Sequence, residues 1–153
     1  MAVEIRKLGI SDIDALMEWR ERVLHEVFEL PEGMPVDPAL MEQNRRFYQE
    51  HLANNTHIPV IAFSDGKGVG CGSICLYDEM PSPDNPTGKC AYLMNVYTTP
   101  QARGRGIGKA VVEELVSYAR EYGAGKIYLE TTEAGRPLYE HIGFGPMEGY
   151  LKL

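Results

Sequence analysis

The chain contains 153 residues, of which 44% are hydrophobic and 24% are charged, and its formal net charge is −7. This length predicts one domain spanning residues 1–153, with a hydrophobic core of its own. The negative charge argues against a dedicated nucleic-acid-binding protein, which is normally basic. Every apolar run is too short to cross a membrane, so we expect partners other than nucleic acid and membranes.

The sequence carries no sign of export or of metal binding. Cys71, Cys75 and Cys90 form no C-x-x-C pair, and Cys71 and Cys75 lie too far apart along one predicted strand to form a disulfide. The N-terminal residues lack the basic segment and apolar core of a secretory signal. These features predict reduced thiols in a cytoplasmic protein. The four histidines show no metal-ligand spacing, so no metal site is predicted.

The N-terminal residues predict a strand followed by a helix. Residues 3–8 alternate between apolar and polar side chains, which is typical of a short strand. Ser11 and Asp14 have the spacing of a capping box, which opens a helix. A stripe of apolar residues at helical spacing then continues to about Glu29.

The rest of the chain predicts five more strands and three more helices. The dipeptide Asp65-Gly66 is a strong signal for a hairpin. A right-handed crossover through the helix that starts at Ile107 makes the strands before and after it parallel. The predicted elements, in chain order, are a loop over 29–37, a helix over 38–52, strands over 59–64 and 69–77, an irregular segment over 78–89, a strand over 90–98, a helix over 107–122, a strand over 126–131, a helix over 133–142 and a final strand over 147–153.

A glycine-rich turn, Q-A-R-G-R-G-I-G-K over residues 101–109, joins an apolar strand to a strongly amphipathic helix. Backbone N–H groups at such a helix N-terminus attract anions, and the glycines let the main chain approach a ligand closely. The turn therefore predicts a pyrophosphate site. A P-loop is excluded because Arg103 and Ala110 stand where it needs glycine and Ser/Thr. A dinucleotide fingerprint fails because Lys109 replaces its third glycine.

Two ordered motifs carry a resemblance to a known family. The pattern Q-x-x-G-x-G-x-G follows a strand, and Leu138-Tyr139-Glu140-His141-Ile142-Gly143-Phe144 matches L-Y-x-x-x-G-F. Together they resemble the GNAT N-acetyltransferase superfamily. The resemblance implies an α/β fold with a mixed sheet: antiparallel N-terminal strands, a parallel β-α-β acetyl-CoA unit, and helices on both faces.

The resemblance also implies roles for individual residues, with acetyl-CoA as cofactor and coenzyme A as product. Tyr139 stands where the family places its general acid, and its phenol can donate a proton to a departing thiolate. Thr132 stands where some members have an asparagine that contacts the cofactor arm. The main chain of Val96, Tyr97 and Thr98 would pair with the pantetheine amides and polarise the thioester carbonyl. The pyrophosphate would be surrounded by Arg103, Gly104, Arg105, Gly106, Ile107, Gly108 and Lys109.

For the acceptor, the resemblance implies a primary amine of a small molecule or peptide that attacks the thioester directly. Its pocket would be walled by Glu26, Phe28, Glu29 and Asn95. The acidic residues would suit an amine that arrives as a cation, or would simply face solvent. The general base stays unassigned between Glu130 and water. Family members often pair, so a homodimer is implied as well.

Two other classes of protein stay open at this point. One is a non-catalytic acyl-CoA-binding or sensor domain of the same fold, which would keep the turn without transferring a group. Tyr139 in its motif favours the enzyme. The other is a nucleotide-binding module, which the glycine spacing disfavours.

Overall fold

The computed structural model describes residues 2–153. Its regular elements are β1 (Val3–Lys7), α1 (Ile13–Val27), α2 (Pro38–Ala53), β2 (His57–Ser64), β3 (Lys67–Asp78), β4 (Lys89–Thr98), α3 (Ile107–Tyr122), β5 (Lys126–Leu129) and α4 (Arg136–Ile142). The strands form one sheet in the order β1-β2-β3-β4-β5. The first three pairings are antiparallel, and β5 pairs parallel to β4. The predicted mixed sheet and parallel crossover are therefore confirmed.

Helices cover both faces of the sheet, as the alternation of buried side chains requires. The face formed by Val60, Ala62, Ile74 and Leu93 packs against α3 and forms the main core. The opposite face packs against α1, through a cluster of Val23, Ile61, Cys71 and Tyr97. A third cluster joins α1 to α2. Adjacent residues of one strand, such as Val60 and Ile61, thus serve two different layers.

A β-bulge interrupts β4 near its middle. Cys71 lies opposite Tyr97 and Ser73 lies opposite Met94, so Gly72 alone faces the two residues between them. One of these is Asn95, whose φ is +60°. Asparagine tolerates this left-handed conformation better than most residues. A bulge bends its strand and increases the local twist, and β4 pairs with β5 only before this point, from Cys90 to Leu93.

The predicted start and end of the first helix differ from those in the structure. The capping box of Ser11 and Asp14 does not form, because Asp12 is the residue that closes the turn: its carboxylate accepts the Gly9 N–H at 2.8 Å. The chain makes a 3-10 turn there before α1 begins at Ile13. At the end of the first helix, α1 stops at Val27 and not at Glu29, whose φ of +50° is not helical.

The C-terminal part of the chain also differs from expectation. The last helix begins at Arg136 and not at residue 133, since the Thr132 carbonyl accepts the N–H groups of Gly135 and Arg136 and holds a turn there. The predicted strand over 147–153 does not form. Gly149 takes a left-handed φ of +87°, which breaks the extended conformation that the alternating side chains suggested.

The close approach of α3 to the sheet depends on Gly72. A Cβ at this position would lie 2.7 Å from Val111 Cγ1 and 3.0 Å from Leu115 Cδ1, and both of these side chains are fully buried. We expect Gly72→Ala to lower the free energy of unfolding by about 1–3 kcal/mol through overpacking. Urea denaturation monitored by circular dichroism measures this.

The matched control is Gly145→Ala, because that glycine has a Cβ position free of neighbours and no left-handed φ. It should change the free energy of unfolding by less than about 0.5 kcal/mol. Equal stability of the two variants would contradict the role assigned to Gly72.

Candidate active site

The turn before α3 exposes main-chain donors. Gly104 and Gly106 have φ values of +79° and +78°, a backbone conformation that residues with a Cβ rarely adopt. Gly106 caps the helix without a side chain. The N–H groups of Ile107, Gly108 and Lys109 have no acceptor among residues 2–153. Three unpaired amides at the positive end of a helix fit a diphosphate.

The cationic side chains of the turn are mostly engaged with other protein groups. Arg103 turns back along the strand, where its Nε donates to the Thr98 carbonyl at 3.1 Å and its Nη2 pairs with Glu26. Lys109 Nζ lies 3.8 Å from Glu113 on the same helix. The main chain, more than these side chains, therefore defines the anion site.

Next to the turn, β4 and β5 separate. Their ladder ends at the pair Leu93–Leu129, but β4 continues to Thr98. The Thr99 N–H donates to Val69 on β3 at 2.9 Å, and because peptide groups alternate in direction, the main chain of Tyr97 also faces β3. That of Thr98 faces the gap. The gap thus offers a strand edge without a partner strand among residues 2–153, although at its end by the glycine turn the Thr98 carbonyl already accepts the Arg103 Nε–H.

The side chains of Val96 and Tyr97, two of the residues predicted to contact the pantetheine arm, point to opposite faces of the sheet. Val96 packs with the core under α3, whereas Tyr97 packs with Trp19 of α1. The predicted contacts involve the main chain, for which Thr98 is placed to face the gap and Tyr97 is not. Thr132 lies just beyond β5, and its Oγ1 accepts the Gly135 N–H at 3.2 Å.

Tyr139 lies on α4, above β5 on the α3 side of the sheet. Its ring packs edge to face against Phe144, with 6.0 Å between the ring centroids. Its hydroxyl makes no hydrogen bond with residues 2–153, and burial raises the pKa of the phenol above its ordinary value. The neighbouring Leu138 holds α4 close to the first turn of α3, since a Cβ at Gly108 would come within 3.3 Å of Leu138 Cδ2. Tyr139 is therefore a protonated donor on a helix that packs beside α3.

The residues predicted to wall the acceptor pocket do not surround one cavity. Asn95 lines a cavity of about 230 Å³ between α1, α2 and the sheet. Glu26 lies at the far end of α1, bonded to Arg103, and Phe28 and Glu29 are exposed to solvent. Burial alone would raise the pKa of Glu26, but hydrogen bonds with Tyr97 and Arg103 outweigh it and lower that pKa. Glu26 thus serves to anchor the turn to α1.

Sequence reasoning missed the residues that contact Asn95. Arg20 on α1 donates from Nη1 to Asn95 Oδ1 and from Nε to Asn44 Oδ1 on α2, both at 2.8 Å. Nothing in the local pattern marks these two residues, because they are ordinary polar positions of two amphipathic helices. The one available signal in the sequence was Asn95, a polar residue inside a mostly apolar strand.

A cysteine and a histidine also line this cavity, but they do not form a nucleophile. Cys75 Sγ lies 3.4 Å from His57 Nδ1. Burial raises the pKa of the Cys75 thiol to about 11 and, aided by the charges of His51 and Arg20, lowers the pKa of His57 to about 4. At neutral pH the pair is a thiol beside a neutral imidazole. A thiolate suited to covalent catalysis is therefore absent here.

Within residues 2–153, no group of His, Cys, Asp or Glu side chains is arranged to hold a metal ion. In the same part of the chain, no helix combines the length and the apolar character needed to cross a membrane. Cys71, Cys75 and Cys90 are all free thiols.

Amides at a helix start, beside a strand edge without a partner in the described part of the chain, are suited to an extended ligand that contains a diphosphate. Residues 22–144 match the sequence model of the Acetyltransferase (GNAT) family, so the chain belongs to this family. It is an acetyl-CoA-dependent N-acetyltransferase. The predicted family, class of enzyme and cofactor are thereby confirmed.

Relatives cover almost the whole chain. It is 27% identical over 151 residues to glucosamine 6-phosphate N-acetyltransferase of Trypanosoma brucei brucei, covering 99% of this chain and 95% of that one. It is 35% identical over 145 residues to the uncharacterized N-acetyltransferase YjgM of Escherichia coli K12, covering 92% and 80%. The crystal structure of a predicted acetyltransferase with acetyl-CoA from Clostridium acetobutylicum superposes with a TM-score of 0.85 at 31% identity, covering 99% and 96%.

The left-handed conformation of Gly106 gives a test of the anion site. We expect Gly106→Ala to weaken acetyl-CoA binding at least tenfold, because the alanine strains this backbone by about 1–2 kcal/mol and tilts the donor amides. Isothermal titration calorimetry measures the Kd.

Gly66→Ala is the matched control. Its φ is +77°, its Cβ position is equally open, and it lies in the hairpin between β2 and β3. It should lose similar stability and keep its affinity for acetyl-CoA. Unchanged affinity in folded Gly106→Ala would mean that the diphosphate binds elsewhere.

Proposed function

We propose that this enzyme transfers the acetyl group of acetyl-CoA to a primary amine of a small molecule or peptide by direct attack, with Tyr139 as general acid. The observation that carries the proposal is the end of the β4–β5 ladder at Leu93–Leu129. It leaves the edge of β4 from Met94 to Thr98 without a partner strand within the described residues, so that an extended amide-bearing arm could pair there in the manner of an added strand, with the Thr98 carbonyl taken by Arg103. The glycine turn follows directly and would hold the diphosphate end.

Acetyl-CoA supplies the activated acetyl group, and the protein residues would bind it and donate the proton that the leaving thiolate needs. The amides of residues 107–109 would hold the diphosphate of the ligand, and the β4 edge would hold its pantetheine arm. The Tyr139 hydroxyl would donate its proton to the departing sulfur, and burial, which raises the pKa of the phenol, keeps it protonated at neutral pH. The protonated Cys75 thiol favours direct attack over an acyl-enzyme.

The incoming amine would lose its proton to water. The cavity beside Asn95 has no carboxylate in its lining among residues 2–153. The imidazole of His57, with a pKa of about 4, is too weak a base to take a proton from an ammonium group efficiently. We therefore expect the rate at low acceptor concentration to rise with pH as the free amine becomes populated.

Tyr139→Phe tests the general acid. The substitution keeps the ring contact with Phe144 and removes only the proton donor, so we expect kcat to fall by about 10²–10⁴-fold while the Kd for acetyl-CoA changes little. In the wild type, activity should decline only above the ordinary phenol pKa of about 10, because the folded pKa is raised and the acid is lost as pH rises through it. That alkaline decline should be absent in the variant.

Release of coenzyme A thiol, followed with a panel of amines, measures the transfer. The control is Tyr118→Phe on α3, whose ring lies under the Lys7 ammonium group, and it should keep wild-type kcat. Wild-type turnover of Tyr139→Phe at every pH would remove Tyr139 from the mechanism. Absence of thiol release with every amine would refute the proposed transfer to an amine.

A further inference from the structure

The guanidinium of Arg20 is held rigidly at the cavity beside the β4 bulge. It joins three elements, because Nε donates to Asn44 on α2 and Nη1 donates to Asn95 in the bulge, each at 2.8 Å. The Asn44 amide is itself oriented by its Nδ2, which donates to the Leu40 carbonyl at 2.9 Å. Arg20 therefore has a fixed position, and its orientation does not depend on a charged partner.

The charge of Arg20 has no counter-charge in the described chain. Five other arginines pair with carboxylates: Arg6, Arg45, Arg46, Arg103 and Arg136. No carboxylate among residues 2–153 forms an ion pair with Arg20, although the protein is acidic overall. Two of its five N–H groups bond to asparagine oxygens, which leaves three without a partner in this part of the protein.

The rest of the cavity is neutral and small. Its polar groups include Gln43, Ser73 and the neutral His57, and Phe47 and Met94 give it apolar walls. Its volume of about 230 Å³ is below the range of about 300–1,000 Å³ typical of drug-sized ligands. A small molecule, or the end of a larger one, fits this space.

We propose that this cavity binds an anionic group of the acceptor, so that the substrate is an amine that also carries a carboxylate or a phosphate. The free N–H groups of Arg20 suit either group, since a guanidinium binds both through paired hydrogen bonds. Asn95 links this anion site to the gap, because it precedes Val96 on β4. An acceptor anchored at Arg20 would thus lie beside the part of β4 that continues beyond its ladder with β5. This inference rests on the proposed amine acetylation.

Pairs of acceptors that differ only in the anion test the proposal. The phosphate pair is glucosamine 6-phosphate and glucosamine. The carboxylate pair is a straight-chain ω-amino acid and its terminal amide, in which the remote group leaves the basicity of the amine nearly unchanged. In the wild-type enzyme, we expect kcat/KM to be at least tenfold higher for the anionic member of one pair or both. The pair that shows the difference identifies the anion.

Substitution of Arg20 assigns that preference to its guanidinium. In Arg20→Gln the preference should fall to less than threefold, mainly through a higher KM for the anionic acceptor. Arg20→Lys keeps the charge without the planar fork and should give an intermediate ratio. Arg22→Gln is the matched control from the same helix, because Arg22 stacks on Trp19 outside this cavity, and it should keep the wild-type ratio.

The outcomes separate this inference from the proposed function. Thiol release at equal kcat/KM for both members of each pair would overturn the anion site and leave amine acetylation standing. An anion preference that persists in folded Arg20→Gln would equally overturn the assignment to Arg20. Absence of transfer to any amine would refute both proposals. A change in acetyl-CoA affinity in Arg20→Gln would place Arg20 at the cofactor, also against the inference.

Discussion

The bulge in β4 is the constraint on which the site depends. One extra residue opposite Gly72 interrupts β4 just after its ladder with β5 ends, and Asn95 there takes a left-handed conformation. On one side of the sheet this point borders the gap that suits an extended thioester. On the other side it presents the Asn95 amide to Arg20 and so completes a small polar cavity. A single local change of backbone thereby lies next to both of the proposed substrate sites.

The position of α3 adds the third part of the arrangement. Because Gly72 lacks a side chain, Val111 and Leu115 pack directly against β3. The first turn of the helix then lies at the end of the gap, with its amides pointing outward. The unpaired part of β4 covers five residues, or about 17 Å of extended chain. In the proposed mode of binding, the sheet therefore sets the distance between the site of acetyl transfer and the diphosphate site.

Local chemistry made the turn, its helix and the parallel strand predictable from sequence. Glycine spacing and helical periodicity are properties of neighbouring residues, and α3 begins and ends where the pattern predicted. Arg20 was missed because its role depends on Asn44 and Asn95, which lie 24 and 75 residues away along the chain. The prediction of a strand over 147–153 was wrong because it relied on the local pattern alone. Alternating side chains favoured extension, but Gly149 turned the chain and no neighbouring strand paired with it.

Binding of a ligand at the edge of β4 from Met94 to Thr98 would also stabilise the folded protein. Any molecule that bridges the separated strands binds the folded state alone. At a free concentration one hundred times its Kd, such a molecule adds about 2.7 kcal/mol to the free energy of unfolding. Acetyl-CoA at such a concentration would therefore lower the population of unfolded chain that proteases can cleave.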